Sequence, residues 1–172
     1  MDIFVIEIKD ADNVHMELLK EFQKKEISDF QKWNAHCFSY LMVDRVLREF
    51  YQIEEKDREV VFDGNKPVLK SGVKHFSISH SGRFAALAFS DYNCGIDIEE
   101  IKLREFEKIS KRMGFDCQTL EDFYKAWTKY EADYKLSVPS QVTKYYCVEN
   151  YAMTVSSVNV KEEFNIYLDT GN

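Results

Sequence analysis

Proline is almost absent from this chain, with two residues in 172, and glycine is scarce, with six. That excludes collagen-like, proline-rich and low-complexity linker architectures, and leaves long stretches without a helix breaker. The four cysteines (Cys37, Cys94, Cys117 and Cys147) lie far apart with no CxxC spacing. Neither a zinc site nor a disulfide framework is indicated, and reduced, mostly buried thiols are expected. No apolar run approaches the roughly 20 residues of a membrane span. The opening MDIFVIEIKD alternates apolar and acidic residues, unlike a signal peptide, so a cytoplasmic protein without membrane association is expected. An excess of positive charge is also missing. The net charge of −7 argues against general nucleic-acid binding, because phosphate contacts need a basic face. A small anionic ligand needs only a few local lysines and stays open.

Apolar residues make up 45% and aromatic residues 15% of the chain, enough for a sizeable core in one domain or in two small halves that share one. Residues 2–8 alternate as a strand, and the pattern turns helical from about Met16 to Tyr51 with Phe30, Trp33, Cys37, Leu41 and Leu47 near three-to-four spacing. REVVF (58–62) reads as a strand and DGNKPVL (63–69) as a turn. HFSIS (75–79), FAALAFS (84–90) and GIDIE (95–99), separated by short turns, predict an antiparallel meander. Residues 102–113 read as a helix stopped at Gly114. Thr119 with Asp122 three residues on predicts a capping box for a helix to about Leu136. YAMTVSSV and FNIYLD read as a terminal pair of strands.

Two acidic features stand out. In CGIDIEEI (94–101), Ile96 and Ile98 share one strand face while Asp97 and Glu99 share the other, although strands disfavour carboxylates. Glu100 breaks the alternation and reads as solvated. In DFYKAWTKYEADYKL (122–136), Leu120, Phe123, Trp127 and Tyr134 form an apolar stripe, with Glu131 and Lys135 one turn apart at its margin. The plain reading is a partly exposed Glu131–Lys135 ion pair. The functional reading brings Asp97, Glu99 and Glu131 together as an oxygen site suited to magnesium, an ion that keeps waters and bridges carboxylates to phosphates. Lys135, Lys66 and the Ser79-His80-Ser81 corner would then meet those phosphates, which fits metal-assisted phosphoryl transfer. A serine-hydrolase reading of SHSG fails, since no GxSxG elbow is present.

Four segments occur in order: the GNKPVL turn, the SISHSG corner, the GIDIE strand and WTKYEADYK on the last helix. Together, over residues 64–136, they resemble the 4′-phosphopantetheinyl transferase superfamily, in its longer, surfactin-synthetase-associated class. In the short trimeric synthases the Gly-x-Asp-x-Glu-like strand lies near the N-terminus, whereas here it begins at Cys94. The resemblance implies an α+β fold of two similar α/β halves forming a pseudo-dimer, residues 1–93 and 94–172, with coenzyme A in the cleft between them. It implies Mg²⁺-dependent transfer of the 4′-phosphopantetheine arm of coenzyme A to a serine of an acyl or peptidyl carrier protein, with release of adenosine 3′,5′-bisphosphate. Carried over by position, Asp97, Glu99 and Glu131 would hold the metal, and Lys135 would contact the pyrophosphate. Ser79 and His80 would hold the nucleotide's phosphates, and Lys66 would lie on the same ligand. Glu131, Lys135 and Asp97 are the implied catalytic residues, with the base open among Glu131, a water on the metal and another carboxylate. A looser match puts Lys20, Lys24 and Lys25 at the 3′-phosphate. The basic run Lys102, Arg104, Lys108, Lys111 and Arg112 would dock the carrier. A monomer is expected, because the pseudo-dimer supplies both walls.

The chain departs from the family pattern where Tyr130 replaces the lysine before the metal-binding glutamate, and where only Asp116 and Glu121 stand in for a further acidic residue. These departures define the alternative: a degenerate member that binds coenzyme A or a carrier protein without efficient transfer.

Overall fold

The computed structural model describes residues 1–9 and 30–169 (for 30–33, the backbone alone). Lys20, Lys24, Lys25 and the start of the long helical pattern lie outside the described residues. The elements are β1 (Asp2–Glu7), α1 (Phe30–Glu49), β2 (Val60–Asp63), β3 (Lys66–Leu69), β4 (His75–Ser81), β5 (Phe84–Ser90), β6 (Cys94–Glu100), α2 (Phe106–Met113), α3 (Leu120–Leu136), β7 (Val142–Val148), β8 (Tyr151–Ser157) and β9 (Asn165–Asp169). This is a mixed α+β architecture, and the described residues form three sheets, ordered β4-β5-β1-β9, β2-β3 and β6-β8-β7. No described helix is long and apolar enough to cross a membrane.

Side-chain alternation sets the layers. Phe4, Leu87, Phe89 and Phe76 leave one face of the first sheet and pack on Val43, Val46 and Leu47 of α1. Ile3, Val5, Phe84, Ala86 and Ala88 leave the other face and meet Ile96, Ile98, Met153 and Val155 of the β6-β8-β7 sheet. Both sheets thus share one central core, which removes the largest apolar area from water. Behind the β6-β8-β7 sheet, Phe123 and Tyr124 of α3 pack against Ala152, with Phe106, Ile109 and Trp127 around them.

Several expectations change. The meander stops at β5: β6 makes no ladder with β5 and pairs instead with β8, from Cys94↔Ser157 to Glu100↔Tyr151. The β4 serines face its free edge. Ser77 Oγ accepts from the Ile96 N–H at 3.1 Å, and Ser81 Oγ accepts from the Glu100 N–H at 3.0 Å. Hydroxyls therefore satisfy backbone donors that a ladder would otherwise take. Residues 63–69 form a hairpin rather than a simple turn, since β3 pairs antiparallel with β2. The last two strands are not partners. β8 pairs with β7, a strand the sequence reading passes over, and β9 returns to lie parallel to β1. The helix expected from 102 starts at Phe106.

α3 begins as the sequence predicts. Thr119 Oγ1 accepts from the Asp122 N–H at 3.1 Å, and an Asp122 carboxylate oxygen accepts from the Thr119 N–H at 3.0 Å. Replacing Thr119 with Ala strands one of these donors and should lower the melting temperature by roughly 2–4 °C, the scale of a lost N-cap in a domain of this size. Circular-dichroism melting checks this, and an unchanged midpoint would show the box to be dispensable.

Candidate active site

The feature that organises the site is a cleft of about 1240 Å³ bounded by α1, the β2-β3 hairpin, β4, β6 and the last turn of α3. Asp97, Glu99, Lys66, Ser79, His80 and Lys135 all line it. Six of the seven residues singled out from sequence therefore face one space, and Glu131 borders it electrostatically.

β6 delivers its carboxylates because Ile96 and Ile98 are committed to the central core, which turns Asp97 and Glu99 the opposite way. Asp97 is 5% exposed. Its Oδ1 accepts from Ser79 Oγ at 2.8 Å and from Lys135 Nζ at 2.8 Å. Lys135 Nζ also donates to the Ile96 carbonyl at 2.9 Å. The ion pair made by Lys135 thus runs to Asp97, and among the described residues none joins it to Glu131, as the plain reading of the helix had expected. The second oxygen, Asp97 Oδ2, is buried without a hydrogen-bond partner. An orphaned carboxylate oxygen is costly in a folded interior.

Glu99 accepts from Ser81 Oγ at 2.9 Å. Burial holds its pKa above the ordinary carboxylate value and the Asp97 charge adds to this, while hydrogen bonds from Ser81 and Trp127 oppose. Glu131, half-buried on α3, is also raised, by burial first and then by the charges of Asp97 and Glu99, with Lys135 opposing. The Asp97 charge therefore reaches both glutamates, and that of Glu99 reaches Glu131. Among the described residues, though, no group of three or more His, Cys, Asp or Glu side chains is close enough to hold a metal by itself.

Cationic and hydroxyl groups occupy the other walls. Burial lowers the pKa of His80, with the Lys135 charge adding to it, which keeps the imidazole neutral more readily. Its ring lies 6.5 Å from that of His36 on α1. Burial lowers the pKa of Lys66 as well. Ser79 is engaged with Asp97 rather than aimed at open space.

Other expectations resolve differently. Tyr134 leaves the apolar stripe and lines the cleft at 68% exposure; the buried stripe of α3 is Phe123, Tyr124, Thr128, Ala132 and Leu136. Tyr130 packs on Phe115 and Trp127, away from the cleft lining. Asp116 and Glu121 are exposed, and neither lines the cleft. Glu100 pairs with Lys102 at 2.6 Å, and Lys108 pairs with Glu105.

Sequence reasoning missed Ser77 and Asn93, and it named Gly95 only as part of the GIDIE strand; Ser81, expected at the phosphates with Ser79 and His80, instead donates to Glu99 and does not line the cleft. The serines were visible as the alternation S-x-S-x-S at 77–81, which puts all three hydroxyls on one strand face.

No protein-family model matches the chain. Among curated proteins it is similar to the 4′-phosphopantetheinyl transferase psf-1 of Bacillus pumilus, at 27% identity, with 80% of this chain and 69% of the relative covered.

Proposed function

We propose, from a likeness that supports the 4′-phosphopantetheinyl transferase superfamily, that this protein transfers the 4′-phosphopantetheine arm of coenzyme A to a carrier-protein serine. The observation that carries this reading is the cleft itself, where the Asp97 and Glu99 carboxylates and the Lys66 and Lys135 ammonium groups line one space. That lining suits a diphosphate with a divalent cation. Magnesium commonly binds through one or two carboxylates together with waters and substrate phosphates, so the absence of a closed three-carboxylate cage is compatible with it. The unpartnered Asp97 Oδ2, with Glu99 and Glu131 both raised by burial and by the Asp97 charge, supplies the negative charge such an ion would relieve.

Asp97 and Glu99 would hold the ion with Glu131 beside it, and the bound ion would stabilise charge on the diphosphate. Lys135 and Lys66 bind and orient the diphosphate oxygens, and His80 borders the nucleotide portion. The carrier serine Oγ attacks the phosphorus attached to the pantetheine arm. The bond from that phosphorus to the bridging oxygen breaks, and adenosine 3′,5′-bisphosphate leaves with the electron pair. Glu131, made more basic by burial and its acidic neighbours, receives the serine proton. In this reading the halves 1–93 and 94–172 act as the two walls of a pseudo-dimeric, monomeric enzyme, with β9 crossing back to the first. An acidic carrier helix would dock on the loop and helix at 102–112. There Leu103 is 96% exposed among Lys102, Arg104, Lys108, Lys111 and Arg112.

The test is the intact mass of an apo carrier protein incubated with the protein, coenzyme A and Mg²⁺. A phosphopantetheine increment that disappears with EDTA and returns with added Mg²⁺ is expected. Coenzyme A binding without any increment across several carriers would overturn transfer in favour of a binding module.

A further inference from the structure

Asn93, in the turn between β5 and β6, belongs to none of the motifs above, yet it touches both sides of the cleft. Its Oδ1 accepts from Lys66 Nζ at 2.5 Å, and its Nδ2 donates to the Leu136 carbonyl at 2.7 Å. Its own backbone carbonyl accepts from the Val158 N–H at 3.3 Å, which ties the turn to the end of β8. The amide orientation is fixed by its partners. An ammonium group only donates and a carbonyl only accepts, so oxygen must face Lys66 and nitrogen must face Leu136.

Each contact solves a separate problem. Leu136 is the last residue of α3, and its carbonyl is one of the four that a helix end leaves without an internal partner. Asn93 caps it, and so anchors the turn of helix that carries Lys135. Lys66 is half-buried and lines the cleft, but among the described residues it makes no ion pair. Its partners are the neutral Asn93 amide and, at 3.4 Å, the Cys94 carbonyl. A lysine bonded to neutral acceptors has no carboxylate partner to compete with an anionic ligand, whereas a carboxylate in the same place would offset its charge.

We propose that Asn93 is a positioning residue that sets the placement of Lys66 against Lys135 for a ligand carrying a diphosphate. The proposal rests on the functional reading above for the identity of that ligand, and on the Asn93 contacts alone for the pairing of the two lysines. Asparagine suits the task because one planar group must accept from one wall and donate to the other. Aspartate would keep the Lys66 contact, but it would neutralise the ammonium and set a carboxylate oxygen against the Leu136 carbonyl. Alanine would release both walls.

Titration calorimetry with coenzyme A and, separately, with inorganic pyrophosphate tests this on the full chain. Wild type, Asn93→Ala, Asn93→Asp, Lys66→Ala and the Lys66→Ala/Asn93→Ala double variant are compared, with melting recorded for each. Asn93→Ala should weaken both ligands about tenfold, the scale of a hydrogen bond to a charged group. Asn93→Ala should cost clearly less in the Lys66→Ala background than in wild type, since the part of its effect that runs through Lys66 is then already lost. Asn93→Asp should bind more weakly than Asn93→Ala. If Asn93→Ala does not fold, Asn93→Asp, which keeps the side-chain shape, carries the comparison. A merely structural Asn93 would lower the melting temperature and give losses that add to those of Lys66→Ala, and that additivity would overturn the proposal. So would a folded Asn93→Ala or Asn93→Asp that binds both ligands like wild type. The expected binding pattern in a protein that modifies no carrier would overturn transfer and leave the positioning role standing. Wild-type protein that binds neither ligand would overturn both.

Discussion

Replacing Gly95 with Ala should lower the melting temperature by roughly 6–12 °C and abolish most of the proposed transfer activity, a large effect for one methyl group. The cause is contact rather than conformation. Gly95 is not among the residues with positive φ, so its backbone is open to any L-residue. A Cβ built there, however, falls 2.0 Å from the Ala132 carbonyl oxygen and 3.2 Å from the Leu136 nitrogen, both backbone atoms of α3. Backbone cannot rotate aside as a side chain can, so the helix must shift as a body or the strand must bend. Reduced chain entropy in the unfolded state favours alanine by only about 0.4–1 kcal/mol. Overpacking costs about 1–3 kcal/mol, and a backbone collision belongs at the upper end. The clash therefore wins. Any shift of α3 also moves Lys135 from its 2.8 Å contact with Asp97 and displaces Glu131 with it. A Gly95→Ala protein that melts within about 2 °C of wild type, with the same carrier-modification rate, would show that α3 yields without loss. The Gly in Gly-Ile-Asp-Ile-Glu thus has a packing explanation: it lets the helix approach the strand closely enough for their charged groups to meet.

That explanation also shows what periodicity can and cannot deliver. The period of two in CGIDIEEI put Ile96 and Ile98 on one face and Asp97 and Glu99 on the other, and the core contacts bear this out. The capping box at Thr119 is a local signal and was equally legible. Periodicity names a face, however, and leaves the partner across it open. It could not say that β6 would leave β5 for β8, because the decisive groups are serine hydroxyls that replace backbone partners from the neighbouring strand. Nor could it choose between Glu131 and Asp97 for Lys135. The i,i+4 spacing permits the first pair, but burial of Asp97 beside the helix selects the second. Tyr134 shows the same limit. Its spacing suits the apolar stripe, yet the helix end overhangs the cleft and leaves it exposed. Asn93 gave no signal, since its two contacts come from residues 27 and 43 positions away.

Asp97→Asn should separate stability from function most cleanly. We expect the carrier-modification rate to fall at least about 100-fold, comparable to removing a group that stabilises charge in a transition state. The melting temperature should stay within about 2 °C of wild type or rise. Asparagine at this position keeps an oxygen able to accept from Ser79 and Lys135, the two contacts that Asp97 Oδ1 makes. What it removes is a negative charge whose other oxygen is buried and unpartnered, and whose field helps to raise the pKa of Glu99 and of Glu131. Relieving that repulsion offsets the weaker hydrogen bond from Lys135, which keeps partial access to water with 28% of its side chain exposed. Asp97→Ala differs because it deletes the acceptor as well. The Lys135 ammonium and the Ser79 hydroxyl are then left without their shared partner, and removing one member of a buried pair is strongly destabilising. Melting curves for both variants, read beside the mass-shift assay, decide the matter. If Asp97→Asn unfolds as early as Asp97→Ala, the carboxylate charge is there for the fold. If Asp97→Asn modifies a carrier at the wild-type rate, the charge has no part in transfer. The expected combination of a stable fold and a silent site would mean that the chain keeps an unfavourable buried charge because its ligands require it.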